Sequence, residues 1–246
     1  KFLNENNQKL ISISSINNCA DIYFKIKKIS IKESKFDILI NNPPQTQEHE
    51  KGKKYRFKCK LFPEFNINNL VFTICSIGFD KFSESMINDL SFLKLPKGRA
   101  EIIRNIPDNI IVDYAHNEDA IKIFLNSLKK NFDNLILVFG CGGDRDKEKR
   151  SKMLKSAIEN SSKVIFTSDN LRTETFEEIF DDAKQGNKLD SVITVKDRKQ
   201  AIMLGSKMIT NKDCLVILGK GHEQFQEVNG NFIKYSDYEV INEIYR

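Results

Sequence analysis

Histidine is scarce in this chain, cysteine is scattered, and long apolar runs are missing. Each shortage removes a class of function. The three histidines, His49, His116 and His222, are too dispersed to suggest a zinc site by themselves. The five cysteines, Cys19, Cys59, Cys75, Cys141 and Cys214, are odd in number and form no C-x-x-C pair. Reduced thiols are therefore expected, with no disulfide framework and no metal ligated by this chain. No apolar stretch approaches the roughly eighteen residues of a membrane span. The opening "KFLNENNQKL" has no apolar core of a signal peptide. Neither the phosphate-cradling G-x-x-x-x-G-K-[S/T] nor the dinucleotide G-x-G-x-x-G occurs anywhere in the sequence.

What is present suits a soluble globular protein. The chain has 246 residues, 40% apolar and 30% charged, enough for one large domain or two smaller ones. Its net charge is +5, from 39 basic and 34 acidic residues. That excess is mild, and the lysines of "EKGKKYRFKCK" read as a solvated strand face, not as a nucleic-acid stripe. Anionic small substrates are compatible with it.

Residues 1–60 read as short strands: "KLISISS", "DIYFKIKKISI", "FDILI" and "KYRFKCKLF". The last alternates Tyr55, Phe57, Cys59 and Leu61 against Arg56, Lys58 and Lys60, the period of a half-exposed strand. A helix is expected over "EFNINNLVFTICSIGF" and a second around "SESMINDLSFL". Pro96 and Gly98 then mark a hinge, dividing the chain into 1–96 and 97–246. From residue 108 the pattern changes. "NIIVD", "LILVFG", "KVIFTSD", "SVITV" and "CLVILG" are apolar runs, the first four each followed by a 3.6-period helix. That alternation predicts a parallel α/β sheet whose strands are covered on both faces. A hairpin turning at Asn229-Gly230 and a helix over 237–245 close the chain.

Ligands of open α/β sheets bind beyond the carboxyl ends of the strands. Four of the five strand ends carry charged or glycine-rich loops: Asp113-Tyr114-Ala115-His116, "GCGGDRD" at 140–146, "DNLR" at 169–172 and "GKGHE" at 219–223. Each has a bland reading as turn chemistry or a helix cap. Together on one rim they point to recognition of a zwitterion. Arg145 and Arg172 suit carboxylates, held bidentately. Asp169 and Glu223 suit an ammonium group. The glycines let backbone N–H groups approach a ligand. Lys147 to Arg150 are expected to open the following helix on its solvent side.

Quoted together, "VDYAHNEDA", "VFGCGGDRDKEKR", "TSDNLRTE" and "LGKGHE" resemble the C-terminal domain of the Mur ligases, nearest to those members that add the third residue of the peptidoglycan stem peptide. "FPEFNINNLVFTICSIG" and "LPKGRAEII" are similar to segments of the same family, and the resemblance covers about residues 55–246. It implies an α/β protein: a Rossmann-like, mostly parallel C-terminal sheet with flanking helices, preceded by the incomplete end of an α/β ATPase domain. It implies ATP-dependent amide formation through an acyl phosphate, with Mg2+, in the cytoplasm. The substrates it implies are UDP-N-acetylmuramoyl-L-alanyl-D-glutamate and meso-diaminopimelate, taken by a monomer. By matching position, Arg145, Asp169, Asn170, Arg172, Gly219 and Glu223 would bind meso-diaminopimelate. Asn69, and with it Asn66, would face adenine. Asp113 would accept from ribose hydroxyls, with Arg99 or His116 near phosphates. Lys220 has no role in this reading.

The chain departs from the family in three ways. Leu171 stands where "DNPR" has proline, "HNED" replaces "HTPD", and the UDP-sugar domain, P-loop and magnesium ligands are missing. The expectation is a chain equivalent to the second half of a ligase, inactive unaided. Two alternatives stay open. One is a ligase for lysine or of folylpolyglutamate type, though Arg145 and "DNLR" weigh against it. The other is a binding module without turnover.

Overall fold

The computed structural model describes residues 10–43, 45–78 and 89–246. It divides into two compact units, Lys1–Lys94 and Leu95–Arg246.

The first unit holds a four-stranded sheet in the order β1-β2-β3-β4. β1 (Ile13–Ser14) runs parallel to β2 (Ile22–Lys28), while β3 (Ser34–Ile40) and β4 (Lys54–Cys59) continue antiparallel. The alternation of β4 buries Phe57 and Cys59, and Phe57 stacks on Phe36 across β3 at 5.0 Å. Helix α1 (Glu64–Ile77) buries Ile67, Val71 and Ile74 and stops at Gly78. Of the helix expected around 83–93, residues 83–88 lie outside the described residues. Leu90 makes an isolated bridge to Cys59, followed by a turn.

The second unit carries a six-stranded sheet in the order β5-β6-β10-β7-β8-β9. These are β5 (Glu101–Ile102), β6 (Ile110–Asp113), β7 (Leu135–Phe139), β8 (Lys163–Phe166), β9 (Val192–Thr194) and β10 (Cys214–Leu218). All pairings are parallel except β5 with β6. β6, β7 and β10 are buried at every position, which is why they read as continuous apolar runs. The antiparallel edge strand β5 has only two residues and gives no such signal.

Helices α2 (Glu118–Leu128), α3 (Glu148–Asn160) and α4 (Phe176–Lys184) pack in succession. On the other side, Ala201 and Ile202 of α5 (Arg198–Met208) join Val240 and Ile241 of α6 (Asp237–Ile244) against alternate strand residues such as Val112, Val138, Ile165 and Ile217. Their starts are written in the sequence. Asn117 accepts the Ala120 N–H at 2.9 Å, so the changed "HNED" supplies its own N-cap. Thr175 and Glu178 form a capping box, and Asp197 caps α5. The hairpin β11 (Phe225–Val228) and β12 (Asn231–Lys234) turns at Asn229-Gly230, both with positive φ. No helix among the described residues is long and apolar enough to cross a membrane.

β10 enters the sheet between β6 and β7. The chain therefore leaves those three adjacent parallel strands, and β8, toward one edge, where a crevice forms.

Candidate functional site

A cavity of about 530 Å3 lies at that edge, lined from each of the four loops. It brings together Arg145, Asp169, Asn170, Arg172, Gly219 and Glu223, with His116 at its border. Of the other predicted residues, Arg99 and Asp113 sit beside this cavity's first loop, and Asn66 and Asn69 belong to the first unit.

The β7 and β8 loops are joined into one wall. Gly143 N–H donates to the Asn170 carbonyl at 2.8 Å, and Arg172 Nη1 returns a bond to the Gly143 carbonyl at 2.6 Å. Asp144 accepts from the Thr173 hydroxyl at 2.6 Å. The fit leaves no room for a side chain at Gly143, whose Cβ would collide with the Leu171 carbonyl oxygen. The wall is backed by Arg150. Against expectation, Arg150 is not on the solvent side: it is 1% exposed. It pairs with Glu174, with Asp182 at 2.8 Å, and with the Gly142 carbonyl at 3.2 Å. The reason is helical register, because Arg150 shares a face with the buried Met153, Leu154 and Ala157. The Arg150 guanidinium holds the Glu174 carboxyl down at about 2.

The acidic side of the cavity is built on the β8 and β10 loops. Asp169 accepts the Asn170 N–H at 2.7 Å. It lies so close over Gly219, at φ +106, that a Cβ there would stand 2.5 Å from its Oδ2. Asn170 Nδ2 donates to Glu223 Oε2 at 3.1 Å, and Tyr114 donates to Glu223 Oε1 at 3.3 Å. Behind them Lys220, fully buried, donates to Asn170 Oδ1 at 2.9 Å and to Glu223 Oε2 at 3.0 Å. Partial burial pushes the Glu223 carboxyl up, but its bonds from Lys220, Asn170 and Tyr114 outweigh that and leave it below the ordinary value. Burial beside Asp169 pushes the Cys141 thiol up to about 12, so it is an inert wall and not a nucleophile.

The basic side carries the two arginines. A Cβ at Gly142 would lie 3.1 Å from Arg172 Nη1 and 3.6 Å from Arg145 Cγ, so both side chains pass close over that glycine. Arg145 is exposed and has no ion-pair partner among the described residues. Arg172 adopts φ +52 and is tied to the hairpin: its N–H donates to the Glu227 carbonyl at 3.0 Å and its Nε pairs with Glu227 at 3.2 Å. Its Nη2 and one Nη1 hydrogen remain for a ligand.

At the border, Arg99 stacks over the Tyr114 ring at 4.8 Å, and His116 meets the same ring edge-on. His116 Nδ1 donates to the Tyr114 carbonyl at 2.7 Å, which leaves Nε2 outward. Asp113 braces the loop: its two oxygens accept the Ala100 and Ala115 N–H groups, both at 2.7 Å, and it is 8% exposed. Burial pushes its carboxyl up. In the first unit, Asn66 is buried and donates to the Phe62 carbonyl at 3.0 Å, whereas Asn69 is exposed. Asn66 therefore braces the start of α1.

Sequence reasoning missed Lys220, Arg150 and Tyr114. For Lys220 the only sequence signal is a lysine between two glycines at a buried strand's end.

The family profile "Mur ligase, glutamate ligase domain" matches residues 98–221. The chain is 39% identical over 197 residues to the UDP-N-acetylmuramoyl-L-alanyl-D-glutamate--2,6-diaminopimelate ligase of Aquifex aeolicus, covering 79% of this chain and 41% of that protein. It is 40% identical over 192 residues to the ligase of the same name from Wigglesworthia glossinidia brevipalpis, covering 75% of this chain and 38% of that one. A solved structure of a UDP-N-acetylmuramoyl-L-alanyl-D-glutamate--2,6-diaminopimelate ligase superposes with a TM-score of 0.71 at 33% identity, over 96% of this chain and 47% of that chain. The chain thus spans about two-fifths of the length of these curated relatives.

Proposed function

The chain belongs to the Mur ligase family, and on that premise we propose that it is the acceptor half of an ATP-dependent ligase that adds meso-diaminopimelate to UDP-N-acetylmuramoyl-L-alanyl-D-glutamate. One observation carries this reading: Arg145 and Arg172, suited to carboxylates, and Asp169 and Glu223, suited to an ammonium, line a single cavity. Meso-diaminopimelate carries two carboxylates and two ammonium groups. Lysine has one carboxylate and would leave an arginine facing an ammonium, a repulsive match.

In this reading Arg145 and Arg172 each hold a carboxylate through paired N–H donors. Glu223 Oε1 and Asp169 accept from one ammonium group. Gly219 and Gly142 keep the floor open, so that the ligand reaches those groups. The cavity thereby fixes which amine faces the activated carboxylate, an orientation that lowers the barrier by supplying proximity. The exposed Arg99 and the outward Nε2 of His116 suit phosphate oxygens, and within the first unit the exposed Asn69 suits a base edge. ATP would supply the phosphoryl group that activates the dipeptide carboxylate. The described residues contain no cluster of three His, Cys, Asp or Glu groups able to hold a metal ion. The Mg2+ that accompanies ATP is assigned to protein outside them, as is turnover itself. A cytoplasmic monomer is part of the same proposal.

Calorimetry on the 246-residue chain tests this. Meso-diaminopimelate should bind, L-lysine should bind at least about tenfold more weakly, and Arg172→Ala should erase that preference. Equal affinity for the two amino acids in the unsubstituted chain would overturn the assignment.

A further inference from the structure

Lys220 is the one fully buried lysine of the cavity loops, and no ligand can touch it. Its ammonium stands 2.9 Å from Asn170 Oδ1, 3.0 Å from Glu223 Oε2 and 3.9 Å from Asp169 Oδ1. A buried charge is costly unless its partners are held close. Those partners come from two loops, after β8 and β10, and both line the cavity.

The Asn170 amide is oriented by this arrangement. Its Oδ1 accepts from Lys220 and, at 3.0 Å, from the Glu227 N–H, so its Nδ2 must face Glu223. Asn170 thus joins loops and spends its acceptor on the protein. Glu223 Oε2 is likewise spent on two donors, Lys220 and Asn170. Among the described residues, Oε1 receives only the Tyr114 hydroxyl, at 3.3 Å, and keeps a lone pair for the cavity.

We infer that Lys220 is a positioning residue for the ammonium end of the ligand: it acts through Glu223 and Asn170, turning one oxygen of Glu223 toward the cavity and offsetting one of two neighbouring carboxylates. With Lys220 in place, Asp169 and Glu223 together present a net charge of −1, the complement of a single ammonium. Without it, two carboxylates would face one ammonium and repel each other. The inference rests on the acceptor-pocket reading above for the ligand, though not for the state of Glu223. The ionisable groups around Glu223 are Lys220 on its own loop, Tyr114 from the β6 loop and Asp169 from the β8 loop, with His116, Arg145, Asp146, Lys149, Arg150 and Arg172 lining the same cavity.

The test uses the 246-residue chain with side-chain carboxyl labels read by NMR, and meso-diaminopimelate as the probe in calorimetry. In Lys220→Met the Glu223 titration midpoint should rise by about one pH unit. Affinity should fall about tenfold. Lys220→Arg, which keeps the charge, should restore much of the midpoint. An unchanged Glu223 midpoint in folded Lys220→Met overturns the inference, whatever happens to binding. If Lys220→Met does not fold, the unsubstituted chain decides: a Glu223 midpoint at or above the ordinary 4.5 overturns it, and one below supports it. If Glu223 shifts as expected but meso-diaminopimelate never binds, the positioning stands and the substrate reading fails.

Discussion

Arg198 and Lys220 both bury a positive charge against the end of β10, and they are partnered in opposite ways. Arg198 grips Asp237 through two parallel bonds of 2.8 Å and donates to the Leu218 carbonyl at 2.9 Å. Both side chains of that pair are 0% exposed. The pair is closed, and it clamps the starts of α5 and α6 to the sheet. Lys220 has no carboxylate to itself. It shares Glu223 with Asn170 and Tyr114, and all three partners line the cavity. A buried charge whose partners face only protein serves the fold. One whose partners face a cavity sets how they meet a ligand.

The largest test breaks the closed pair. Arg198→Met leaves the Asp237 carboxylate buried with only the Tyr235 hydroxyl, at 3.0 Å, among its former side-chain partners. Unfolding in urea should show a loss of about 3–5 kcal/mol, and Arg198→Met with Asp237→Leu should recover much of it. Meso-diaminopimelate affinity of the folded fraction should not change. A loss below about 1 kcal/mol, within the range of exposed ion pairs, would erase the distinction drawn between the two cations.

Arg145 gives the reciprocal case, an exposed cation with no ion-pair partner among the described residues. Arg145→Ala should weaken meso-diaminopimelate about 10- to 100-fold in calorimetry, the worth of a charged hydrogen-bonded contact. Its unfolding free energy should move by less than about 0.5 kcal/mol, as for other exposed positions. A stability loss without a binding loss would place Arg145 with Arg198 instead.

How much of this was legible depended on whether the physics was local. The strands β6, β7 and β10 were readable because burial on both faces leaves an unbroken apolar run. The gathering of Arg145, Asp169, Arg172 and Glu223 was readable because parallel strands must release their loops at one edge. β5 was not, since a two-residue antiparallel edge carries no period. Arg150 hid inside "DKEKR", a run whose charge density reads as solvent-facing. Its spacing of three, four and seven residues to Met153, Leu154 and Ala157 was the better signal. The pairing of Arg198 with Asp237 was beyond reach, because 39 residues separate them. Nothing in "KDRKQ" distinguishes Arg198 from its neighbouring lysines. Asp113 has a role that its spacing did not announce: its oxygens hold the Ala100 and Ala115 N–H groups.

Arg150 lies between the two cases, and the smallest expected effect measures how far. Its own side chain is 2% exposed, but those of Glu174 and Asp182 are 13% and 23% exposed. Solvent therefore screens the network partly. The Arg150 guanidinium holds the Glu174 carboxyl at about 2 in the folded chain, against an ordinary 4.5. A carboxyl lowered on folding adds stability that is complete above 4.5 and disappears as pH falls toward about 2. Glu174→Gln removes that contribution. The stability difference between the unsubstituted chain and the variant should be about 1 kcal/mol at neutral pH, and urea unfolding at successive pH values should show it shrinking through that window. Meso-diaminopimelate affinity should fall by no more than about threefold, because the Arg150 bond to the Gly142 carbonyl remains to hold the arginine-bearing loop. A difference that stays constant down to pH 2 would mean that the Glu174 carboxyl is not lowered on folding, and the account of Arg150 as its partner would fail.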